Sequence, residues 1–429
     1  MVRRFLPICL LACLSLPCLF VVAQQAPIPT ATALSGNPFF VKKSWPIGGS
    51  GNWDYLTMDP VARRLYIAHG QAVQVVDVDS GSVVGEVQGF REAHAIALDD
   101  VNTNGYVSDG PASAIRVFDR QSLRIENTIP IGCSPRSIAY EPASKLVFAV
   151  CSADVPPPPR TTRPGERPEQ PQVFGFSHVI VIDTSDKDQL LADLTVAGDL
   201  RVVAADHNGH VYITAGESQV PVSRNRSSPN LNRTIPPRIL VLESSTLINA
   251  AHRWFSEQQK QESDGPASFV LDSDSSNDSQ ARFLQLPTDC ASPQGLAVDG
   301  KISRLFAACG GQKLLVLDPS NDHTVTTLTT GPGEDVIGYD PERELIYSAN
   351  GGGYGSLTII QQDANTDSYN VIQNLPTLAR ARTLAVDPST GAVYLVTDLR
   401  GVDLTKAGGI GTLHSDPIQG SFQVLVVGH

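Results

Sequence analysis

The chain has 429 residues, a net charge of −12, 35 Gly, 31 Pro and only 6% aromatic residues. No basic run offsets the acidic balance, which argues against nucleic acid or an anionic membrane surface as partner. Long helical periodicity is absent, and short β-branched runs separated by turn residues dominate, the pattern of an all-β protein.

The first element is a leader. Arg3 and Arg4 precede an apolar stretch from Phe5 to Val22, and Val21-Val22-Ala23 offers small residues for cleavage. Residues 1–23 read as a secretory signal peptide and 24–37 as a linker; no second apolar span follows. The competing reading is a lipoprotein signal with Cys13 lipidated. The mature chain is then secreted or periplasmic, with a charge of −14 once Arg3 and Arg4 leave. Cys133, Cys151, Cys290 and Cys309 remain, an even number that suggests disulfides in an exported protein. No CxxC, CxxCH or HExxH occurs, so the sequence implies no metal and no cofactor.

Residues 38–429 hold seven copies of one unit. Each first strand (A) ends on an acid: Asp59, Asp99, Glu141, Asp206, Asp299, Asp340 and Asp387. The intervals are 40, 42, 65, 93, 41 and 47 residues, and the short ones match a four-stranded propeller blade. Before the acid, one face of strand A is large (Leu56, Ile96, Ile138, Val203, Leu296, Ile337, Leu384). The other is small (Thr57, Ala97, Ala139, Ala204, Ala297, Gly338, Ala385). Strand B carries an aromatic in every unit: Tyr66, Tyr106, Phe148, Tyr212, Phe306, Tyr347 and Tyr394. Strand C closes on Asp77, Asp119, Asp183, Glu243 or Asp318, expected to accept bonds from turn amides. The last unit stops at strand C, and the N-terminal "FFVKKSWPI" (Phe39–Ile47) is a strand without a unit. It is expected to supply the missing outer strand, giving a seven-bladed β-propeller closed by its N-terminal strand.

Three insertions lie between strands B and C and therefore crown one face, the top: Ser152–Gln172, Glu217–Pro237 and Asp398–Gly420. They read as loops, either tolerated surface insertions or a lid over the channel mouth. A fourth, Glu257–Gln280, lies near the outer strand of blade four, and its "DSDSSNDS" tract reads as a solvated linker. Cys133 and Cys151 flank the acid of blade three as Cys290 and Cys309 flank that of blade five, so the expected disulfides are Cys133–Cys151 and Cys290–Cys309. Five positions before each acid, all seven residues are polar: Asp54, His94, Arg136, Arg201, Gln294, Asp335 and Arg382. This ring at the channel mouth could take a small polar or anionic ligand, or stand as a hydrated funnel. A second ring, ten past the acid, would hold His69, Asp109, Asn350 and Thr397. His207 and His210 ("DHNGH") fall in a turn on the opposite face and suit a turn role.

The units "LTMDPVARRLYIA", "SIAYEPASKLVFAV" and "TLAVDPSTGAVYLV" resemble the YVTN-type repeat of the bacterial YncE-like propellers, over essentially the whole mature chain. The resemblance implies an exported or periplasmic propeller and no particular activity. Two functions fit. One is a monomeric binding or scaffold protein that takes an envelope partner or small ligand on its top face. The other is a channel-site hydrolase or lactonase with a divalent metal near Asp54, Asp335 and Asn350, opposed by the arginines nearby. No catalytic motif marks any residue.

Overall fold

The computed structural model describes residues 38–153, 175–185, 187–221, 232–258, 265–271, 281–402 and 415–429. The leader and the linker expected over residues 1–37 lie outside that set, as do most of the Ser152–Gln172 insertion and the Asp272–Ser279 tract.

Seven sheets form the blades, each with four antiparallel strands running A to D outward from the axis. Blade one is typical, with strands Trp53–Asp59, Arg64–His69, Ala72–Asp77 and Ser82–Gln88. In blade seven the order is Leu384–Asp387, Ala392–Thr397, Gln423–Gly428 and then Phe40–Pro46. That last strand pairs antiparallel with Gln423–Gly428, from Phe40↔Gly428 to Pro46↔Gln423, and removes the edge the final blade would otherwise expose. It also grips both neighbours. The Gln373 amide of blade six donates to and accepts from the Phe39 backbone, at 2.8 and 2.9 Å, and Trp45 packs where a Cβ on Gly81 of blade one would stand.

The residue pattern accounts for the packing. All seven strand-B aromatics are buried, none more than 4% exposed. Large strand-A residues of one blade lie on the small ones of the blade before: Leu56 packs with Ala385 and Tyr394, and Gly338 leaves room for Leu384 and Val386. The acid after strand A accepts turn amides, as in Val61 and Ala62 N–H to Asp59 (3.1 and 2.8 Å) and Ser389 N–H to Asp387 (3.0 Å). The same acids tie blades together. Arg120 of blade two donates to Asp59 (2.9 Å), and Arg63 of blade one to Asp387 of blade seven (2.5 Å). Of the strand-C acids, Asp77, Asp119, Asp183 and Asp318 accept turn amides. Glu243 accepts the Ser245 and Thr246 hydroxyls instead, because its strand runs into a helix.

That helix, Ser244–Gln258, departs from the sequence reading. Leu247, Ala250 and Ala251 make a short buried stripe, with Trp254 and Phe255 half-buried beside it, on the core shared by blades three and four. The chain then lays Ala267–Leu271 parallel to Gln189–Ala197, so blade three has five strands, before Ala281–Gln285 closes blade four. Two of the B–C insertions, read as loops, rise from paired stems: Ser218–Pro221 with Asn232–Ile235, and Arg400–Val402 with Ser415–Pro417. The cysteines pair as the sequence reading expected. Cys133–Cys151 and Cys290–Cys309 have Cα atoms 6.0 and 4.6 Å apart.

Candidate functional site

The seven polar residues at the head of strand A sit where the inner ladder is irregular. In blade one Trp53 pairs with His69 but Leu56 with Ile67, so three steps on strand A face two on strand B. The same one-residue bulge falls between Ala93 and Ile96, Pro135 and Ser137, Leu200 and Val203, and Glu334 and Ile337. It therefore contains Asp54, His94, Arg136, Arg201 and Asp335. A bulge bends its strand and re-aims the side chain it carries. In blades five and seven the strands start after Gln294 and Arg382, at Gly295 and Leu384.

Most of the ring is paired within itself or with immediate neighbours. His94 Nδ1 lies 2.9 Å from Asp54 Oδ2, and Arg382 Nε 3.4 Å from Asp335 Oδ2. Arg201 donates to Asp199 (2.9 Å) and to Ser292 Oγ (2.7 Å), and Gln294 donates to the same hydroxyl (2.8 Å), joining blades four and five. Arg136 is exposed and forms no ion pair among the described residues. Burial pushes Asp335 up to about 6; Arg382 pulls it back and Asp54 adds to the rise.

Two residues that the sequence reading passed over belong to this site. Tyr55 follows Asp54 inside the bulge. Burial, then Asp54 and Asp335, raise its phenol far above the usual range, against Arg382 and Arg136. Side chains of blades one, three, six and seven thus act on one hydroxyl. Its signal was available: at the matching position the other units carry Ala95, Ser137, Val202, Gly295, Val336 and Thr383, and none is aromatic. Arg380 is the second. Its backbone is left-handed (φ 70), its Nε lies 3.2 Å from Asp398, and its guanidinium sits 4.8 Å over the Trp53 ring. Burial, then the nearby charges of Arg400 and Arg382, hold that guanidinium below its ordinary range despite Asp398. Arg380 and Arg382 share a pocket of about 420 Å³ with Gln294, Glu334, Asp335 and the glycines 333, 351 and 352.

The second ring is committed elsewhere. His69 Nδ1 bonds Gln74 (2.8 Å), Asp109 accepts the Arg91 and Glu92 amides, and Thr397 donates to Ala379 O (2.7 Å). Asn350 is fully buried and donates to Ser356 and Thr358. His210 is bound to Asp206 at 2.8 Å beside its turn. Among the described residues no three His, Cys, Asp or Glu side chains gather in metal-binding geometry. A larger cavity, about 720 Å³, opens on the opposite face, where Met58, Leu98, Tyr140 and Ala205 end their A strands.

No protein-family model matches the sequence, and no curated protein matches it. Solved structures do. The chain is similar to U3-55K, with a TM-score of 0.58 and 9% identity over 89% of this chain and 97% of that one. It is similar to the RRP9 WD40 repeats, with a TM-score of 0.57 and 10% identity over 94% of this chain and 99% of that one. At such identities the likeness carries the propeller architecture and nothing of the ligand or partner.

Proposed function

We propose that this chain is an exported, YncE-like propeller that acts as a binding module, taking a small polar or anionic ligand, or a charged segment of an envelope protein, at the top mouth of its channel. The observation that carries the reading is the ring itself. A polar side chain heads the innermost strand of every blade, five of them set in bulges, and among the described residues the ring leaves Arg136 without an ion pair and Arg382 half-exposed. Guanidinium groups so placed offer forked donors to carboxylate or phosphate. Export is supported by the basic-then-apolar start of the chain and by the two disulfides, and no described helix is long and apolar enough to cross a membrane. The YVTN-like units support the family reading. The metal-hydrolase alternative loses Asn350, whose amide is held in buried bonds.

The test is calorimetric titration of the mature protein with phosphate, succinate and citrate, beside an Arg136→Ala/Arg382→Ala variant. Arg201→Ala serves as control, because Arg201 is held by Asp199 and Ser292. Saturable binding, weakened tenfold or more in the double variant and far less in the control, supports the reading. A wild-type protein that binds none of them and captures no envelope partner through the ring overturns it.

A further inference from the structure

The 420 Å³ pocket between Arg380, Arg382, Glu334 and Asp335 contains both signs of charge, which a simple anion site would not. Glu334 is 4% exposed. Its Oε1 accepts the Gln312 and Lys313 amides at 2.8 and 3.1 Å, and its Oε2 is buried with no hydrogen bond among the described residues. A buried carboxylate oxygen without a donor is costly, and most native ones find a partner. Arg380 presents the complementary case: its buried Nε lies 3.2 Å from Asp398, outside good hydrogen-bond geometry, with no other partner among the described residues. Its left-handed backbone is fixed by its own N–H donating to Gly351 O at 2.8 Å. Strain of this kind persists where surrounding contacts impose it, and it gathers at ligand sites. Gly351 makes the arrangement possible, since a Cβ there would stand 2.7 Å from Arg382 Cβ and 3.3 Å from Arg380 Cα.

We infer that this pocket takes a zwitterion, a free α-amino acid or similar small molecule, with its ammonium at Glu334 and Asp335 and its carboxylate at Arg380 and Arg382. The inference rests on the channel-mouth reading above and narrows its ligand. A lone anion would face two carboxylates, and like charges repel more strongly where the protein partly excludes water. A lone cation would meet two guanidinium groups. A molecule with both charges satisfies each wall, and the volume lies within the range of small-ligand sites.

The experiment titrates the mature protein with each common L-α-amino acid, then with the deaminated and decarboxylated analogues of whichever binds. The expected result is that at least one amino acid binds saturably and both analogues bind at least tenfold more weakly. Glu334→Gln keeps the Oε1 acceptor and removes the charge. It should weaken the amino acid tenfold or more, leave the carboxylate analogue bound as tightly as in the parent or more tightly, because one repelling carboxylate is gone, and melt like the parent. If the carboxylate analogue binds as tightly as the amino acid, the zwitterion is wrong while an anion-binding mouth stands. If no amino acid binds, the inference falls, and the phosphate, succinate and citrate titrations decide separately whether the broader reading survives.

Discussion

Gly295 sits hard against the inner strand of the next blade. A Cβ built there would stand 2.2 Å from the Asp335 carbonyl oxygen and 3.0 Å from the Ile337 amide nitrogen. Both are backbone atoms of the neighbouring inner strand, so no side chain can rotate away and the blades themselves must separate. Gly338 is the internal comparison, because its added Cβ would meet the Leu384 and Val386 methyls at 2.5 and 2.8 Å, which can move. Overpacking a tight site costs about 1–3 kcal/mol, while Ala in place of Gly returns about 0.4–1 kcal/mol through the unfolded chain. Gly295→Ala should therefore destabilise by about 2 kcal/mol, a fall in Tm of roughly 2–3 °C for a chain this long. Gly338→Ala should cost about 1 kcal/mol or less. Urea denaturation followed by tryptophan fluorescence, with calorimetric Tm, measures both. A Gly295→Ala protein as stable as the parent, or less harmed than Gly338→Ala, would refute the argument that backbone contact between inner strands sets the blade spacing.

Two further predictions concern pH. Arg63→Ala removes the guanidinium that holds the buried Asp387 carboxylate of the closing blade. Burial raises that carboxyl, but bonds from Ser389, Arg63 and Thr390 outweigh it and keep it low. A depressed folded pKa stabilises above the ordinary value near 3.9 and is lost as pH falls. The variant should thus be about 2 kcal/mol less stable at pH 7, with the gap closing toward pH 3 in denaturation series. Asp335 has the opposite sign: its pKa of about 6 means the folded protein gains stability as pH falls from 7 toward 4. Asp335→Asn should flatten that part of the profile, by about 2–3 kcal/mol across the interval. A variant whose pH profile overlays the parent would show that Asp335 is not the group responsible.

The blades were legible because they depend on local chemistry repeated seven times. An aromatic in strand B, an acid after strand A and alternating large and small inner residues each have one physical solution in this fold. Ring closure followed from a strand without a unit at one end and a unit without a strand at the other. The Ser244–Gln258 helix was hidden because its buried stripe, Leu247, Ala250 and Ala251, is short and mostly alanine, and the core of two blades supplies the rest of its burial. Ala267–Leu271 was hidden because a parallel edge strand leaves only five residues of pattern. The ring was legible as positions but not as pairings. That Asp54 would hold His94, and Arg201 be held by Asp199, depends on how bulges aim neighbouring side chains. Arg380 escaped notice because its role comes from a left-handed loop four residues before the strand begins at Leu384.

The closing strand also decides where the molecule is mechanically weakest. Phe40 faces Gly428, so the incoming and outgoing chains leave the ladder side by side at the same end. Tension applied through those two exits would part the strands one hydrogen bond at a time, as a zipper opens, rather than sliding them past each other against the whole ladder. The paired bonds between Gln373 and the Phe39 backbone stand in front of the first rung and act as its stop. A load carried by any other two blades would be shared around the ring; a load on the two tails falls on this seam alone.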